Sequence, residues 1–288
     1  MISLSTAERA LKEVYLGVIR NHLDCYVDPF LAKLTKTHSH VFGAAISLEP
    51  EWACKYKDVP HITSRLKYMK GYIEVSDKAI RISENSTGAF VNFLNSEVER
   101  MLNTFKVDIH SSLYGKSDSI KITSLPEIFS NSSELYGLSR KAYKELKVKV
   151  KKVDSFDPKH IDQIVEENDH IDFIIASKEV VNAYRDYMID HNQDVARQKL
   201  SDGTNAIFVN KSVPMVISKM MNPKEVYFIC TQDFAMHMLC DWMWLENEEG
   251  KILRQVPGRP VYRADLVKYA DIICSNPYKQ IKLIIKEM

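Results

Sequence analysis

One stretch constrains the chain more than any other. In SENSTGAFVNFLNSEVERMLNTFKVDIHSSLYG, Phe90, Leu94, Val98, Met101, Phe105 and Ile109 recur at helical spacing over roughly six turns. The spacing predicts one amphipathic helix over 88–114, about 40 Å long at a rise of 1.5 Å per residue. Asn85, Ser86 and Thr87 supply candidate N-caps, and Gly115 stands where a left-handed C′ residue would end the helix. That is a strut.

The segments before it are of two kinds. Ser5 and Glu8 have capping-box spacing, and Ala7, Leu11, Val14, Tyr15, Val18 and Leu23 form one apolar stripe that Pro29 ends or interrupts. Such a helix needs a partner surface, in its own domain or on a neighbour. From 41 to about 82 the character turns extended. Trp52, Tyr56, Arg65, Leu66, Tyr68, Tyr72 and Ile73 are interspersed with Lys55, Lys57, Lys67 and Lys70, and broken by Pro50 and Pro60. This reads as a long two-stranded excursion. An isolated hairpin of that kind is marginal in water, so it needs something to lie on.

Beyond a Ser- and Asn-rich loop at 116–133 the pattern becomes mixed α/β. Asp157-Pro158 is a helix start, with Ile161, Ile164 and Val165 inward. Residues 171–176, IDFIIA, read as a buried strand, and 178–189 as a helix carrying Val180, Tyr184 and Met188. Strands are expected near 206–209, 213–218 and 225–230, with Asn222-Pro223 as a turn. In the tail, Ile281, Leu283 and Ile285 alternate with Lys282 and Lys286, as in a half-buried strand. The run DWMWLENEEGKILRQVPGRPVYRADL sets Trp242 and Trp244 on one strand face, ahead of an acidic turn and a Pro-Gly-Arg-Pro corner. No internal repeat or low-complexity tract interrupts this order.

Composition excludes several classes. A chain of 288 residues with 45% hydrophobic and 27% charged residues can bury a real core. Its formal charge of +1 sets up no strong field for nucleic acid or membrane surfaces. No apolar run reaches the roughly 18 residues that span a bilayer, and the N-terminal stretch lacks the basic region and cleavage site of a secretory signal. Five cysteines, Cys25, Cys54, Cys230, Cys240 and Cys274, are odd in number and have no C-x-x-C spacing, so they read as reduced, mostly buried thiols.

Chemistry-bearing motifs are sparse. His38 and His40 form an H-x-H pair that could hold a metal in a metal-dependent enzyme, but no third ligand stands at a recognisable spacing. Lys147, Lys149 and Lys151 would share a strand face that could track phosphates, yet no aromatic platform sits among them. Asp169, Asp172 and Asp186 read as surface charges. Phosphate loops, nucleophile elbows and zinc-protease motifs are absent, and with nine glycines there is little scope for a phosphate cradle. Nothing points to catalysis, a cofactor or a resident metal.

Four stretches, taken in order, resemble the major capsid protein of tailed bacteriophages, the Hong Kong 97-type fold. KGYIEVSDKAIRISENSTGAFVNFLNSEVERMLNTFKVDIHSSLYG is similar to the return strand of that family's E-loop followed by its spine helix. ELYGLSRKAYKELK is similar to the link into the A-domain. SVPMVISKMMNPKEVYFICTQDFAMHM and DWMWLENEEGKILRQVPGRPVYRADLVKYADIICSNP are similar to later A-domain and P-domain strands. The likeness runs from about Phe42 to the C-terminus, and its specificity lies in order and spacing.

The resemblance implies an α+β chain in five parts. These are an N-terminal arm over 1–42 that reaches another subunit, an E-loop over 43–82 lying on a neighbour, a P-domain over 83–155 with the spine helix 88–114, an A-domain over 156–240, and closing strands over 241–288. It implies a structural subunit that assembles with itself, as hexamers and pentamers, into an icosahedral shell around double-stranded DNA. Scaffold, portal and decoration proteins would be its partners, and the virion capsid, built in the bacterial cytoplasm, its location. With only about 40 residues before the loop, a separate scaffold or none is implied, and no lysine and asparagine match a cross-linking pair. Trp52, Tyr56, Arg65 and Tyr68 are the candidate interface residues, because aromatic and arginine side chains often anchor contacts. An encapsulin-like compartment is the alternative within the same fold.

Overall fold

The computed structural model describes residues 4–25, 28–38, 44–45, 61–62, 67–83, 86–117, 120, 122–191, 197–200 and 204–287. The long helix runs Thr87–Leu113, and all six residues of the predicted stripe are buried. Ser86 caps it by accepting from the Ala89 N–H at 3.3 Å. At the other end Gly115, at φ +67°, donates to Ser112 O at 2.9 Å while Lys116 N–H reaches back to Ser111 O at 2.8 Å. Glycine is the residue that enters this left-handed turn without strain.

The helix lies along a five-stranded sheet. Strand Thr35–His38 runs parallel to Phe234–Trp244, which pairs antiparallel with Val261–Cys274. Strand Lys67–Ser76 forms the other flank of Val261–Cys274 over its full length, and Arg254–Gln255 pairs with Arg263 and Tyr262. Two register shifts interrupt Phe234–Trp244, between Met238 and Cys240 and between Cys240 and Met243. Each inserts one residue, and a single insertion would flip the strand's faces. Together they restore parity, so Trp242 and Trp244 share the inner face with Phe234 and Met238, all buried.

A second sheet of seven strands has the order Lys149–Ser155, Ile281–Glu287, Glu225–Ile229, Phe173–Ala176, Val213–Ile217, Asn205–Val209, Arg197–Lys199. Helices Lys159–Glu166 and Lys178–Asp190 cover one face, where Ile161, Ile164, Val180, Tyr184 and Met188 join Ile174, Phe228 and Leu283 in one core. The other face turns toward the long helix and the first sheet. There Tyr227 stacks on Phe129 at 4.3 Å, and Phe30 lies 6.4 Å from Phe173.

A buried polar knot ties the two crossovers between the sheets. Asp233 accepts from Asn276 Nδ2 and, at 3.2 Å, from Gln280 Nε2, while Gln280 Oε1 accepts from Cys230 N–H at 2.8 Å. Arg140, 1% exposed, makes a second one: its guanidinium donates to Asn131 Oδ1 and to the carbonyls of Glu127 and Ile128 at 3.0–3.1 Å. These carbonyls close the short helix Leu125–Phe129, so the arginine acts as its C-terminal cap.

Several expectations are corrected. The N-terminal helix starts at Leu4, so Ser5 lies inside it, and Glu8 accepts from Ile252 N–H instead of closing a capping box. A π-turn at Leu11–Tyr15 widens the helix, and burial falls on Ala7, Leu11, Ile19 and Leu23 at multiples of four. Val14 and Val18 are 63% and 58% exposed as a result. Pro29 opens a new helix, Pro29–Lys33, capped by Asp28. Residues Asp77–Ser83, expected to be extended, form a helix because Ser76 Oγ caps Ala79 N–H at 3.1 Å.

The strand Lys149–Ser155 pairs with Ile281–Glu287 in the second sheet, and Phe234–Trp244 is one continuous strand of the first. Lys282 is buried and not half-exposed, because Glu225 holds its ammonium at 2.8 Å. Asp172 is no free surface charge. It accepts from Thr231 N–H at 2.8 Å and Thr231 Oγ1 at 2.6 Å.

Candidate functional site

The expected anchors fall unevenly. Trp52, Tyr56 and Arg65 lie outside the described residues, as does His40. Residues Ala44–Ala45 pair antiparallel with His61–Ile62, so the two arms of the 43–72 excursion meet at that point. The return arm from Lys67 onward is not free. It is built into the chain's own first sheet, where its backbone bonds are satisfied along one edge by Val261–Cys274.

That leaves Lys67–Ser76 as a ten-residue flank strand with a distinct outer face. Tyr68 is 60% exposed and Tyr72 46%, on the side away from buried Met69, Ile73 and Val75. The Arg263 guanidinium lies 3.8 Å above the Tyr72 ring, and Asp265 accepts from Arg263 Nε at 2.9 Å with Lys70 Nζ at 3.4 Å. Stacking on the tyrosine and bracing by a carboxylate hold the arginine in one arrangement on this exposed face. Of the residues bringing it together, Tyr68 was named from sequence. Arg263 and Asp265 were not, since cross-strand pairing alone brings them there.

On the inner side the same strand comes close against the long helix at Gly71. A Cβ on Gly71 would stand 1.8–2.0 Å from the Phe105 ring. Phe105 in turn meets Trp242 edge to face at 5.3 Å, and Lys268, 1% exposed, sits 5.5 Å over the Trp242 ring. The buried lysine is paired with Asp241 Oδ1 at 3.2 Å. Burial works to raise the Asp241 pKa, but Lys268, the Trp242 N–H and Arg20 hold it below the usual carboxylate value. Trp242 and Trp244 are core residues, as expected. Trp242 borders a cavity of about 20 Å³, space for a single water.

The N-terminal helix is fastened to this same sheet. Trp244 Nε1 donates to Leu11 O at 3.1 Å, Arg20 Nε to Trp242 O at 2.7 Å, and Lys12 Nζ pairs with Glu246 at 2.8 Å. Within the single chain, this helix is thus held on the first sheet through Leu11, Lys12 and Arg20.

The basic run forms an edge. Lys149, Lys151 and Lys152 are exposed on Lys149–Ser155, which among the described residues has only Ile281–Glu287 beside it. Lys151 pairs with Glu167 at 2.5 Å. Lysines on an edge strand guard it against further strand pairing. His38 is exposed on its strand, and among the described residues no three His, Cys, Asp or Glu side chains are grouped to hold a metal ion. Cys230 and Cys274 are buried free thiols, and burial raises both above the usual thiol pKa, Cys230 to about 11. No helix among the described residues is long and apolar enough to cross a membrane.

No protein-family model matches the sequence, and a search of curated proteins gives no match. Solved structures do match. The chain is similar to the capsid asymmetric unit of cyanophage A-1(L), with a TM-score of 0.62 and 10% identity over 91% of this chain and 94% of that one. It is similar to the holo-SrpI encapsulin complex from Synechococcus elongatus, with a TM-score of 0.55 and 13% identity over 90% and 88%. It is also similar to the virus-like particle from Pyrococcus furiosus, with a TM-score of 0.51 and 11% identity over 94% and 99%. What is shared at these identities is the fold, which is α+β and of the Hong Kong 97 capsid type, as the four sequence stretches imply.

Proposed function

We propose that this chain is a structural shell subunit, the major capsid protein of a tailed phage or prophage, and that many copies close into an icosahedral particle around double-stranded DNA. The observation that carries this reading is likeness to a phage capsid chain along nine-tenths of both chains, at a TM-score of 0.62. In this reading the five-stranded sheet and long helix form the P-domain, the seven-stranded sheet with its two helices forms the A-domain, and residues 43–66 reach a neighbouring copy as the E-loop. The chain acts through repeated contacts closed by symmetry and has no catalytic role. Hexamers and pentamers of itself, scaffold, portal and decoration proteins, and non-specifically held DNA are its partners, with assembly in the bacterial cytoplasm.

The test is electron microscopy of the chain expressed alone and with its neighbouring genes, after a sedimentation step. Closed particles or capsomer rings are expected. A chain that stays monomeric in both settings would overturn the reading. The similarity to an encapsulin favours one second reading, a compartment that encloses protein. Nuclease-protected double-stranded DNA inside the particles supports the capsid, and protein cargo without DNA supports the compartment.

A further inference from the structure

One groove in the chain is large, structured and used by nothing described above. It lies where the long helix ends against the face of the seven-stranded sheet opposite its two helices, and it holds about 500 Å³. That is within the range of sites that take small ligands or short peptide stretches. Met220, Met221, Pro126 and Pro223 form its apolar walls, and Tyr227 and Lys282 lie in its floor.

The floor has an unusual charge arrangement. Lys282 is 8% exposed, and its ammonium meets Glu225 Oε1 at 2.8 Å. The other carboxylate oxygen, Oε2, accepts from the Tyr227 hydroxyl at 2.8 Å. Both oxygens of Glu225 are therefore engaged, whereas an ammonium has three N–H donors and this one has a single oxygen acceptor among the described residues. At the mouth, Lys116 is exposed and forms no ion pair among the described residues. Two lysines against one carboxylate leave the lining one unit positive. The Lys282 ammonium also lies 5.6 Å over the Tyr227 ring, and because Lys282 lines the groove, a carboxylate entering there can meet its remaining donors. Methionine walls adapt to the shape of an apolar guest.

We propose that this groove docks a short segment of a partner protein that is apolar and carries carboxylates. Its apolar side chains lie against Met220, Met221 and the two prolines, one carboxylate completes the Lys282 ammonium, and a second meets Lys116. A basic segment would leave the Lys282 donors unmet and face like charge at the mouth. This assignment does not depend on the shell reading.

The test uses the purified full chain and two fluorescein-labelled nine-residue peptides, one alternating Leu with Glu and one alternating Leu with Lys. Fluorescence anisotropy is expected to give saturable binding of the Glu peptide that weakens with salt. Affinity is expected to fall about fivefold in Lys116→Glu and about tenfold in Met220→Asp. Both positions are at least partly exposed, and thermal melts confirm that the variants fold. Equal affinity for the two peptides, no saturable binding, or wild-type affinity in both variants would overturn the proposal. So would displacement of the peptide by stoichiometric oleate, which assigns the groove to a lipid carboxylate. Loss of self-association in the two variants, without peptide binding, assigns it to a second copy and overturns the proposal equally.

Discussion

The indole N–H of Trp244 donates to the backbone carbonyl of Leu11 at 3.1 Å, across 233 residues of chain. It meets the helix at the first residue of its π-turn. The turn keeps one face of a 22-residue helical run against the sheet, because burial at intervals of four drifts off the face of a regular 3.6-residue helix. The bond therefore joins the irregularity of the helix to the twice-bulged strand that carries the tryptophan.

Trp244→Phe keeps most of the ring and removes the donor, and is expected to cost about 1–2 kcal/mol. Trp244→Ala also empties a buried site and is expected to cost about 3–5 kcal/mol. Urea midpoints measure both. If the Phe variant matches the wild type, the indole contributes by packing alone.

Gly71→Ala is expected to destabilise by about 1–3 kcal/mol. The added methyl would meet the Phe105 ring at 1.8–2.0 Å, so the ring would have to give up its edge-to-face contact with Trp242 at 5.3 Å and shift into the space of about 220 Å³ that it lines with Met101 and Thr104. Phe105→Leu in the same chain should recover part of the loss. A double-mutant cycle measures the coupling, and strictly additive effects would show that the ring and the strand do not compete for one space.

Acid should weaken the fold below neutrality. Burial lowers the pKa of His237 from 6.5, only partly opposed by Asp271, and the ring's Nδ1 is buried without a partner. Burial and then Lys106 lower His22 in the same direction. In both cases the unfolded chain takes up protons before the folded one. The stability they contribute is present above pH 6.5 and is lost as pH falls through the folded values. Urea midpoints from pH 7.5 to about 5.5 should decline, and His237→Gln should flatten the decline. An unchanged slope in that variant would place the acid sensitivity elsewhere.

The legible parts of the chain were those whose signal is local. Six apolar residues at helical spacing, a serine before them and a glycine after them define the long helix, and both caps form as their chemistry requires. The near-continuous apolar runs that form Phe173–Ala176, Val213–Ile217 and Glu225–Ile229 were equally readable as strands. What sequence could not give was pairing. That Tyr72 stands opposite Asp265, and that Lys67–Ser76 is a sheet strand and not a free arm, follow from a register set by residues nearly 200 positions away. Lys282 looked exposed because its alternation with Ile281 and Leu283 is the pattern of a half-buried strand, and only the neighbouring Glu225 reverses it. Gly71 carried no signal at all, since its role exists only where Phe105 crosses the strand. The groove beside Lys282 was missed for the same reason, being assembled from four separate stretches of the chain.

If the chain is the shell subunit proposed above, the outer face of Lys67–Ser76 offers a direct test of how its copies meet. Tyr68 and Tyr72 are two exposed aromatics on a flank strand, one of them already stacked under Arg263 at 3.8 Å. Because they bury little in the single chain, Tyr68→Ser and Tyr72→Ser should each shift its stability by no more than about 1 kcal/mol. A contact that anchors neighbours is worth about 2 kcal/mol or more per residue, and in a closed shell it recurs at every copy. The double variant should therefore fold normally by circular dichroism and melting, yet yield far fewer closed particles in sedimentation and microscopy, with Arg263→Ala giving a weaker form of the same defect. Full particle yield from the double variant would move the interface off this strand and onto the loop that precedes it.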